Sequence, residues 1–374
     1  MIPDPIKLTQ ELVAFDTINP PGQEIACIER LARILSEGGL RTDVHVFGEN
    51  RANLIATLGA ESDAPWLCFT GHVDTVPLGS MPWKHAPFSG VIVDGRLYGR
   101  GASDMKGGVA AFVTAACEAA DGAAAGRVKL IITAGEERGC HGAMELVKTG
   151  ALPHGGALVV AEPSSNVPMV GHKGALWLRA TLTGVTAHGS MPDLGVNAAY
   201  KAARALAKLE NFQFNEAPHP YLGKPTLNVG AVRAGINVNS VPDRAEIDID
   251  IRTIPSLSNA TTRENLAVEL GDEVSVTTLV DVPAVWTDPE DRWVASVFKT
   301  VHAITGVSPQ LTAAVPYFTD ASVLKPALGE PPTVVLGPGE PGMAHQTDEF
   351  CMVDRIRDAT EIYSRLIAQW HLLE

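Results

Sequence analysis

The sequence is poor in the features that define several large functional classes. Lysine and arginine total 29 against 43 aspartates and glutamates, so the formal net charge is −14. A nucleic-acid surface needs clustered basic residues to neutralise phosphates, and this balance argues against one. No run approaches the roughly 18 apolar residues of a membrane span, and the N-terminus lacks the basic and apolar regions of a secretion signal. We therefore expect a cytoplasmic protein without nucleic-acid or membrane partners.

Cysteine is also scarce. The five cysteines are an odd number without CxxC spacing, so a disulfide framework is not expected, and a reducing compartment fits. Cys140 lies three residues after Glu137, where a small buried thiol is the expected role. The 374 residues are enough for two domains.

Five short segments nevertheless place acidic and imidazole side chains at the ends of apolar runs. They are GHVD at 71–74, GASDMKGG at 101–108, GEE at 135–137, AEPS at 161–164 and GMAHQ at 342–346. Residues 66–70, 128–133 and 157–160 are nearly continuous apolar runs closed by turn residues, which is typical of strands buried on both faces. Residues 107–120 are rich in alanine and predict a helix packed closely on the sheet.

Ligands of open α/β sheets bind outside the carboxyl ends of the strands, so we expect the polar residues of these segments to share one rim. They are His72, Asp104, Glu136, Glu137 and Glu162. Together with His345 they form a mixed nitrogen and oxygen donor set, which suits zinc, cobalt or manganese better than calcium. Asp74 lies two residues beyond His72, where its carboxylate can accept a hydrogen bond from the imidazole.

The order of the motifs, HxD, SDMKGG, GEE, AEPS and a late GPGxxxxAHQTDE, resembles the M20 family of co-catalytic metallohydrolases over nearly the whole chain. The branch of acetylornithine deacetylase and succinyl-diaminopimelate desuccinylase is the most similar. The resemblance implies an α/β, phosphorylase/hydrolase-like catalytic domain with a mixed central sheet flanked by helices. It further implies an inserted α+β, ferredoxin-like lid and dimerisation domain, a homodimer, and hydrolysis of the amide bond of an N-acyl amino acid.

The same resemblance assigns roles to the polar residues. Two divalent metal ions, zinc with cobalt or manganese as alternatives, would each have three protein ligands. One set is His72, Asp104 and Glu162, and the other is Asp104, Glu137 and His345. Asp104 would bridge the two ions, Glu136 would be the general base and acid, and Asp74 would orient His72.

The inserted domain is expected at residues 175–283, which leaves residues 1–174 and 284–374 for a discontinuous catalytic domain. Four strands are predicted at 176–182, 226–232, 245–251 and 274–280, with helices at 196–209 and 261–270. Residues 246–252 alternate strictly between aliphatic and charged side chains, so one face of that strand is charged.

By resemblance, three roles fall on residues outside the metal set. His188 would reach the partner subunit's active site and stabilise the developing oxyanion. Arg252 with Asn239 would clamp the substrate's α-carboxylate, and Thr319, within 316–322, would lie on the loop that lines the substrate pocket. An alternative for Arg252 is that it neutralises the acidic residues at 248 and 250 on its own strand.

The residues around the pocket leave the substrate open. Segment 316–322 lacks the paired glycines and the arginine of the GGTSDGR sequence typical of desuccinylases, which favours an acetylornithine deacetylase. Leu194 stands where those deacetylases often carry arginine, so ornithine specificity is not assured. The alternatives are a succinyl-diaminopimelate desuccinylase, an M20 dipeptidase, carboxypeptidase or aminoacylase with the same metal centre, and a non-catalytic metal- or carboxylate-binding protein. The last would be expected to lack Glu136 or a ligand, and none is missing.

Overall fold

The computed structural model describes residues 2–60, 64–122, 127–308 and 314–370. The chain separates into two compact units. The larger unit comprises Met1–Gly171, Trp286–Ala314 and Thr319–Glu374, and the smaller comprises His172–Val285 and Val315–Phe318. The smaller unit thus extends a few residues beyond the predicted 175–283 and also includes 315–318. Val315 pairs with His172 and accepts a hydrogen bond from the backbone N–H of Lys173 at 3.2 Å, and the Phe318 ring packs against Trp177.

The helices of the described residues are spread over both units. They are α1 (Pro5–Val13), α2 (Ile25–Glu37), α3 (Gly107–Asp121), α4 (His141–Lys148), α5 (Ala198–Glu210), α6 (Asn259–Leu270), α7 (Arg292–Thr305), α8 (Ala321–Ala327) and α9 (Val353–Trp370). Among the described residues, no helix combines the length and the apolar character needed to cross a membrane.

The strands range from two to ten residues in length. They are β1 (Arg41–Gly48), β2 (Arg51–Leu58), β3 (Trp66–His72), β4 (Ile92–Val93), β5 (Arg96–Tyr98), β6 (Val128–Thr133), β7 (Gly155–Val160), β8 (Gly171–His172), β9 (Gly174–Thr183), β10 (Thr226–Ala234), β11 (Arg244–Thr253), β12 (Val274–Val282), β13 (Val285–Trp286), β14 (Thr333–Val335) and β15 (Phe350–Met352).

The larger unit is built on a six-stranded sheet in the order β1-β2-β6-β3-β7-β14. Strands β6, β3, β7 and β14 run parallel, and β1 and β2 add an antiparallel edge. Every residue of β3 and β6 is buried, as their apolar sequences predict. Helices α1, α2, α3, α7 and α9 contribute to the same apolar core. The predicted α/β fold, with a mixed central sheet flanked by helices, is confirmed.

Helix α3 lies unusually close to the end of β7. Residues 109–117 of this helix are all buried. A Cβ atom at Gly108 would lie only 2.3 Å from the carbonyl oxygen of Ala161. Only glycine, which has no Cβ, fits where the helix contacts this carbonyl group. The helix therefore begins directly beside the strand end that precedes Glu162.

The smaller unit contains a four-stranded antiparallel sheet in the order β10-β11-β9-β12. The alternating sequence of β11 buries one face, formed by Ala245, Ile247, Ile249 and Ile251. This face joins buried residues of α5 and α6 in a separate apolar core. Strand β10 is at the edge of the sheet, and most of its residues are at least partly exposed.

Candidate metal centre

Three neighbouring parallel strands deliver the polar segments to one edge of the larger unit's sheet. Strand β3 ends at His72, which is in register with Thr133 at the end of β6. On its other side Thr70 of β3 is in register with Val160 at the end of β7. Asp74, Glu136 and Glu162 therefore follow strand ends that lie side by side, as the sequence predicts.

The first group of donor atoms surrounds the imidazole of His72. Its Nε2 atom lies 3.2 Å from Oδ1 of Asp104 and 3.6 Å from Oε1 of Glu162. All three side chains offer one donor atom within 4.8 Å of the others, and the His72 and Glu162 side chains are buried. The group could hold one metal ion.

The second group shares Asp104 with the first. Nε2 of His345 lies 3.1 Å from Oε2 of Glu137 and 3.4 Å from Oδ2 of Asp104. These donor atoms also lie within 4.8 Å of one another. Asp104 directs one carboxylate oxygen to each group, which is the placement that a bridging ligand requires.

The donor chemistry fits divalent cations. The two groups contain imidazoles and carboxylates without thiolates, a set suited to catalytic zinc and related metals. In the described part of the chain, the buried Oε1 atom of Glu137 has no hydrogen-bond partner. A buried carboxylate oxygen without a proton donor is costly unless a cation compensates it, so this atom supports a metal at the second group.

Burial and mutual repulsion shift the pKa values of the carboxyl groups. Burial raises the pKa of Glu162 well above its usual range, and the nearby Asp104 adds to the effect. Burial and Asp104 raise the pKa of Glu137 to about 7. Hydrogen bonds to Asp104 and Glu137 raise the pKa of His345 to about 10. The metal-free site therefore retains protons at neutral pH, and metal binding must displace them.

The environment of Asp74 differs in part from the prediction. Nδ1 of His72 donates to the backbone carbonyl of Asp74 at 2.9 Å, whereas the Asp74 carboxylate lies 3.5 Å away. A proton on Nδ1 leaves Nε2 of the neutral ring free to bind a cation. The carboxylate instead accepts hydrogen bonds from the backbone N–H groups of Glu136 and Glu137, at 3.1 and 3.3 Å, and from the Asn19 amide at 3.0 Å. Asp74 thus fixes the GEE turn as well as the imidazole.

Glu136 lies in a single 3₁₀ turn, Glu136–Arg138, that follows β6. Gly135 enters this turn at a φ of 84°, in the left-handed region that favours glycine. The Glu136 side chain is buried, and burial together with the charge of Glu162 raises its pKa well above the usual range. A carboxyl group in this state can both accept and return a proton.

Thr319 and its neighbour Asp320 lie in the larger unit. Thr319 is buried, and the Cys140 thiol, also buried, donates to its carbonyl oxygen at 3.5 Å. Asp320 was not predicted as a site residue. It accepts a hydrogen bond from the Thr133 hydroxyl at the end of β6, and burial raises its pKa to about 6. The sequence feature that could have indicated Asp320 is its position next to Thr319 in the segment TDAS at 319–322.

Arg100 and Glu349, which were not predicted as site residues, form a buried ion pair beside the segment that carries Asp104. Glu349 is the last residue of the late motif GPGxxxxAHQTDE. The motif therefore contained it, but its spacing gave no indication of a partner.

His188 and Asn239 are exposed and neighbour each other in the smaller unit. Nδ1 of His188 lies 2.8 Å from the Ser190 hydroxyl, and the backbone of His188 pairs with Ser240. The N–H of Gly189 donates to the carbonyl of Asn239 at 2.8 Å.

Arg252 also lies in the smaller unit, where it pairs with Asp250. Its Nε atom is 2.9 Å from Oδ1 of Asp250, and Nη2 donates to Oδ2 at 3.1 Å. Asp248 is bound instead by Arg179 and Arg233. Arg252 therefore neutralises Asp250, one of the two acidic residues proposed as its partners, and does not pair with Asp248.

Comparison with known proteins identifies the relatives of this chain. The sequence model of the peptidase family M20/M25/M40 matches residues 68–369. The chain is 30% identical to a probable succinyl-diaminopimelate desuccinylase of Staphylococcus epidermidis, with 96% of each chain covered. It is 31% identical to an acetylornithine deacetylase of Pasteurella multocida, with 92% of this chain and 90% of the relative covered.

Solved structures share the fold at lower identity. The M20 family metallo-carboxypeptidase Sso-CP2 of Sulfolobus solfataricus superimposes with a TM-score of 0.83 at 19% identity, over 99% of this chain and all of that chain. Human carnosine dipeptidase 1 superimposes with a TM-score of 0.73 at 15% identity, over 98% of this chain and 97% of that chain. The chain therefore belongs to the peptidase family M20/M25/M40 and is a metal-dependent hydrolase.

Proposed function

We propose that this protein hydrolyses the amide bond of an N-acyl amino acid and releases a carboxylate and a free amine. The observation that carries the proposal is Asp104, which directs one oxygen to each of two groups of metal-binding side chains. In the proposal, His72, Asp104 and Glu162 hold one divalent cation, and Asp104, Glu137 and His345 hold a second. Zinc is the first candidate, with cobalt and manganese as alternatives.

Two such cations, when bound, would polarise the scissile carbonyl and lower the pKa of the attacking water. Glu136 takes a proton from that water and returns it to the leaving amine. Its raised pKa supports the first of these steps, because a buried carboxylate with a raised pKa is a stronger base than an exposed one. Asp74 holds the backbone of Glu136 and the ring of His72 in place.

For the substrate, N-acetylornithine is the first candidate, because TDAS at 319–322 lacks the glycines and arginine of the desuccinylase sequence. N-succinyl-diaminopimelate is the second, supported by the name of the Staphylococcus epidermidis relative. We assign recognition of the substrate's α-carboxylate to Arg252 and Asn239. On substrate binding, the Arg252 guanidinium would release the Asp250 carboxylate and bind the substrate's carboxylate in its place. Thr319 is assigned to the loop that contacts the substrate.

A homodimer formed through the smaller unit, with His188 serving the partner's site, completes the proposal. Among the described residues, strand β10 pairs only with β11, so its other edge is open. Ile236 and Val238 follow it with exposed fractions of 94% and 101%. Exposed apolar residues next to an open strand edge are typical of a surface that pairs with another chain.

The proposal is tested by measuring free amine release from a panel of N-acetylornithine, N-succinyl-diaminopimelate, other N-acyl amino acids and dipeptides. Zinc- or cobalt-loaded protein is compared with the Glu136→Ala variant loaded in the same way. Turnover that disappears in the variant supports metal-dependent amide hydrolysis, and the preferred compound identifies the substrate. A protein that binds two metals but cleaves no member of the panel contradicts the proposal.

A further inference from the structure

We infer that Arg100 and Glu349 are positioning residues that fix the distance between Asp104 and His345 and thereby set the affinity for the second cation. The inference rests on the proposed function for the identity of the metal ligands. It concerns residues that contact neither group of donor atoms directly, and it starts from the backbone that carries Asp104.

The segment that carries Asp104 has irregular backbone geometry. Asp104 and Met105 have non-helical angles within Ala102–Lys106. Three backbone N–H groups of residues 101–104 are bound by the side chain of a residue much later in the chain. The Glu349 carboxylate accepts from the backbone N–H groups of Gly101, Ser103 and Asp104 at 3.0, 2.9 and 3.0 Å. The position of Asp104 therefore depends on where Glu349 lies.

Arg100 connects the same carboxylate to the segment that carries His345. It donates through Nη1 to Glu349 at 2.6 Å and to the carbonyl of Gln346 at 3.3 Å. Through Nη2 it donates to the carbonyls of Pro77 and His345, at 3.2 and 3.5 Å. Both side chains are buried, with exposed fractions of 1% and 0%.

Ser103 provides a second connection between the two segments. Its hydroxyl donates to the carbonyl of Phe350 at 2.6 Å and accepts from the N–H of Glu340 at 2.9 Å. His345 lies between these two residues, with a φ of 64° that few side chains adopt without support. The donor atoms of Asp104 and His345 thus sit on two segments joined by buried polar contacts.

A change in the Arg100–Glu349 pair should act through geometry. Partners outside the ligand set typically change metal affinity about 10- to 100-fold, because they set the orientation of the ligands. Glutamine at position 349 has the shape of glutamate but only one acceptor oxygen, so it cannot satisfy all four donors. Lysine at position 100 keeps the charge but loses the planar fork that reaches the carbonyls.

The test uses Glu349→Gln and Arg100→Lys in the full chain, with Leu31→Ala as a control for general destabilisation. Leu31 is fully buried in α2, on none of the segments that carry donor atoms. Zinc affinity is measured by competition with a chelator, and the visible absorption spectrum of cobalt-loaded protein reports ligand geometry. Thermal unfolding of the metal-free proteins shows that each variant is folded.

We expect both variants to lose roughly 10- to 100-fold in affinity for one of the two zinc ions and to change the cobalt spectrum, while Leu31→Ala changes neither. A folded variant with wild-type affinity and spectrum would overturn the inference. If Glu349→Gln does not fold, Arg100→Lys alone decides. None of these measurements needs a substrate, so a wild-type protein that binds two metals without hydrolysing amides would contradict only the proposed function.

Discussion

Glu136 and Glu137 are adjacent in the chain, yet their surroundings differ. Glu137 lies 3.1 Å from the imidazole of His345 and belongs to a group that could hold a metal. Glu136 is buried beside that group and belongs to neither set of donor atoms. A single turn fixed by Asp74 directs the two carboxylates to different positions. In the proposed function, this division between single residues would separate metal binding from proton transfer.

We predict that Glu136→Gln lowers kcat by about 10²- to 10⁴-fold while two zinc ions remain bound. The amide has nearly the same shape as the carboxylate but cannot accept the proton of the attacking water. The measurement combines amine release with the metal content of the dialysed protein. Loss of a zinc ion in this variant would instead make Glu136 a ligand.

A second prediction concerns the stability of the metal-free protein between pH 5 and pH 8. The pKa of Glu137 is raised to about 7 and that of Asp320 to about 6, so the folded protein holds protons that the unfolded chain has released. The contribution of these groups to the free energy of unfolding is fully present below their ordinary pKa values. It is lost as the pH rises through the raised pKa values of the folded protein. His345, with a pKa of about 10, acts in the same direction above its ordinary value.

The melting temperature of the metal-free protein should therefore fall as pH rises from 5 to 8. Glu137→Gln should reduce the slope, because it removes one of the ionising groups. Thermal unfolding at several pH values in a chelating buffer measures both effects. A melting temperature that rises over this interval would show that the cluster does not hold protons as described.

The residues of the two donor groups and the supporting Asp74 could be predicted from the sequence, whereas the supporting pair of Arg100 and Glu349 could not. His72, Glu137 and Glu162 follow apolar runs whose strand character is local information. Glu349 hydrogen-bonds to Asp104 across 245 positions of the chain. Such a contact depends on the complete fold, and neither residue type nor spacing indicates it.

Among secondary structure elements, α3 and β7 determine where Glu162 lies. The predicted close packing of an alanine-rich helix on the sheet is confirmed by the buried residues of α3. Its first turn approaches the end of β7 so closely that a Cβ at Gly108 would meet the Ala161 carbonyl at 2.3 Å. The helix and the strand end therefore cannot be separated without moving the adjacent Glu162.

We predict that Gly108→Ala destabilises the protein by about 1–3 kcal/mol and weakens zinc binding, because the added methyl group must displace the backbone next to Glu162. Gly122→Ala is the matched control, since the nearest described atom outside the adjacent residues is 3.5 Å from a Cβ at that position. Denaturant unfolding and a chelator competition measure the two effects. Equal behaviour of the two variants would contradict the close approach.

The ends of the elements were less predictable than their presence. Helix α5 was expected from residue 196 but begins at Ala198, because Asn197 accepts hydrogen bonds from the N–H groups of Ala199 and Tyr200. Helix α6 begins at Asn259, two residues earlier than expected, after Ser258. Both differences arise at capping residues, whose preference for helix starts is strong but leaves several candidate positions.

For the whole molecule, the sequence indicated a central insert but could not define all of its chain. Residues 315–318 join the smaller unit although they follow a long stretch of the larger one. The backbone of Val315 pairs with His172, and the Phe318 ring lies 5.9 Å from the ring of Trp177 and 5.7 Å from the Arg252 guanidinium. Amino-acid composition and hydrophobic periodicity do not indicate that so short a segment of the chain belongs to a different unit from its neighbours in sequence.

We predict that His188→Ala lowers kcat by roughly 10²-fold or more while metal content and KM change little, as loss of an oxyanion donor does. His219→Ala, in another loop of the smaller unit, is the control and should retain wild-type turnover. Steady-state kinetics and analytical ultracentrifugation together test the role of His188 in a homodimer. Unchanged turnover in His188→Ala would remove this role.

The most direct test of the account is a zinc titration of metal-free protein, in which bound zinc and amine release from the preferred panel substrate are followed together. The account predicts that two zinc ions bind per chain, that activity appears as these sites fill, and that Glu136→Gln binds the same zinc without activity. Full amine release in the presence of a chelator, or an active Glu136→Gln variant, would contradict metal-assisted hydrolysis at this centre.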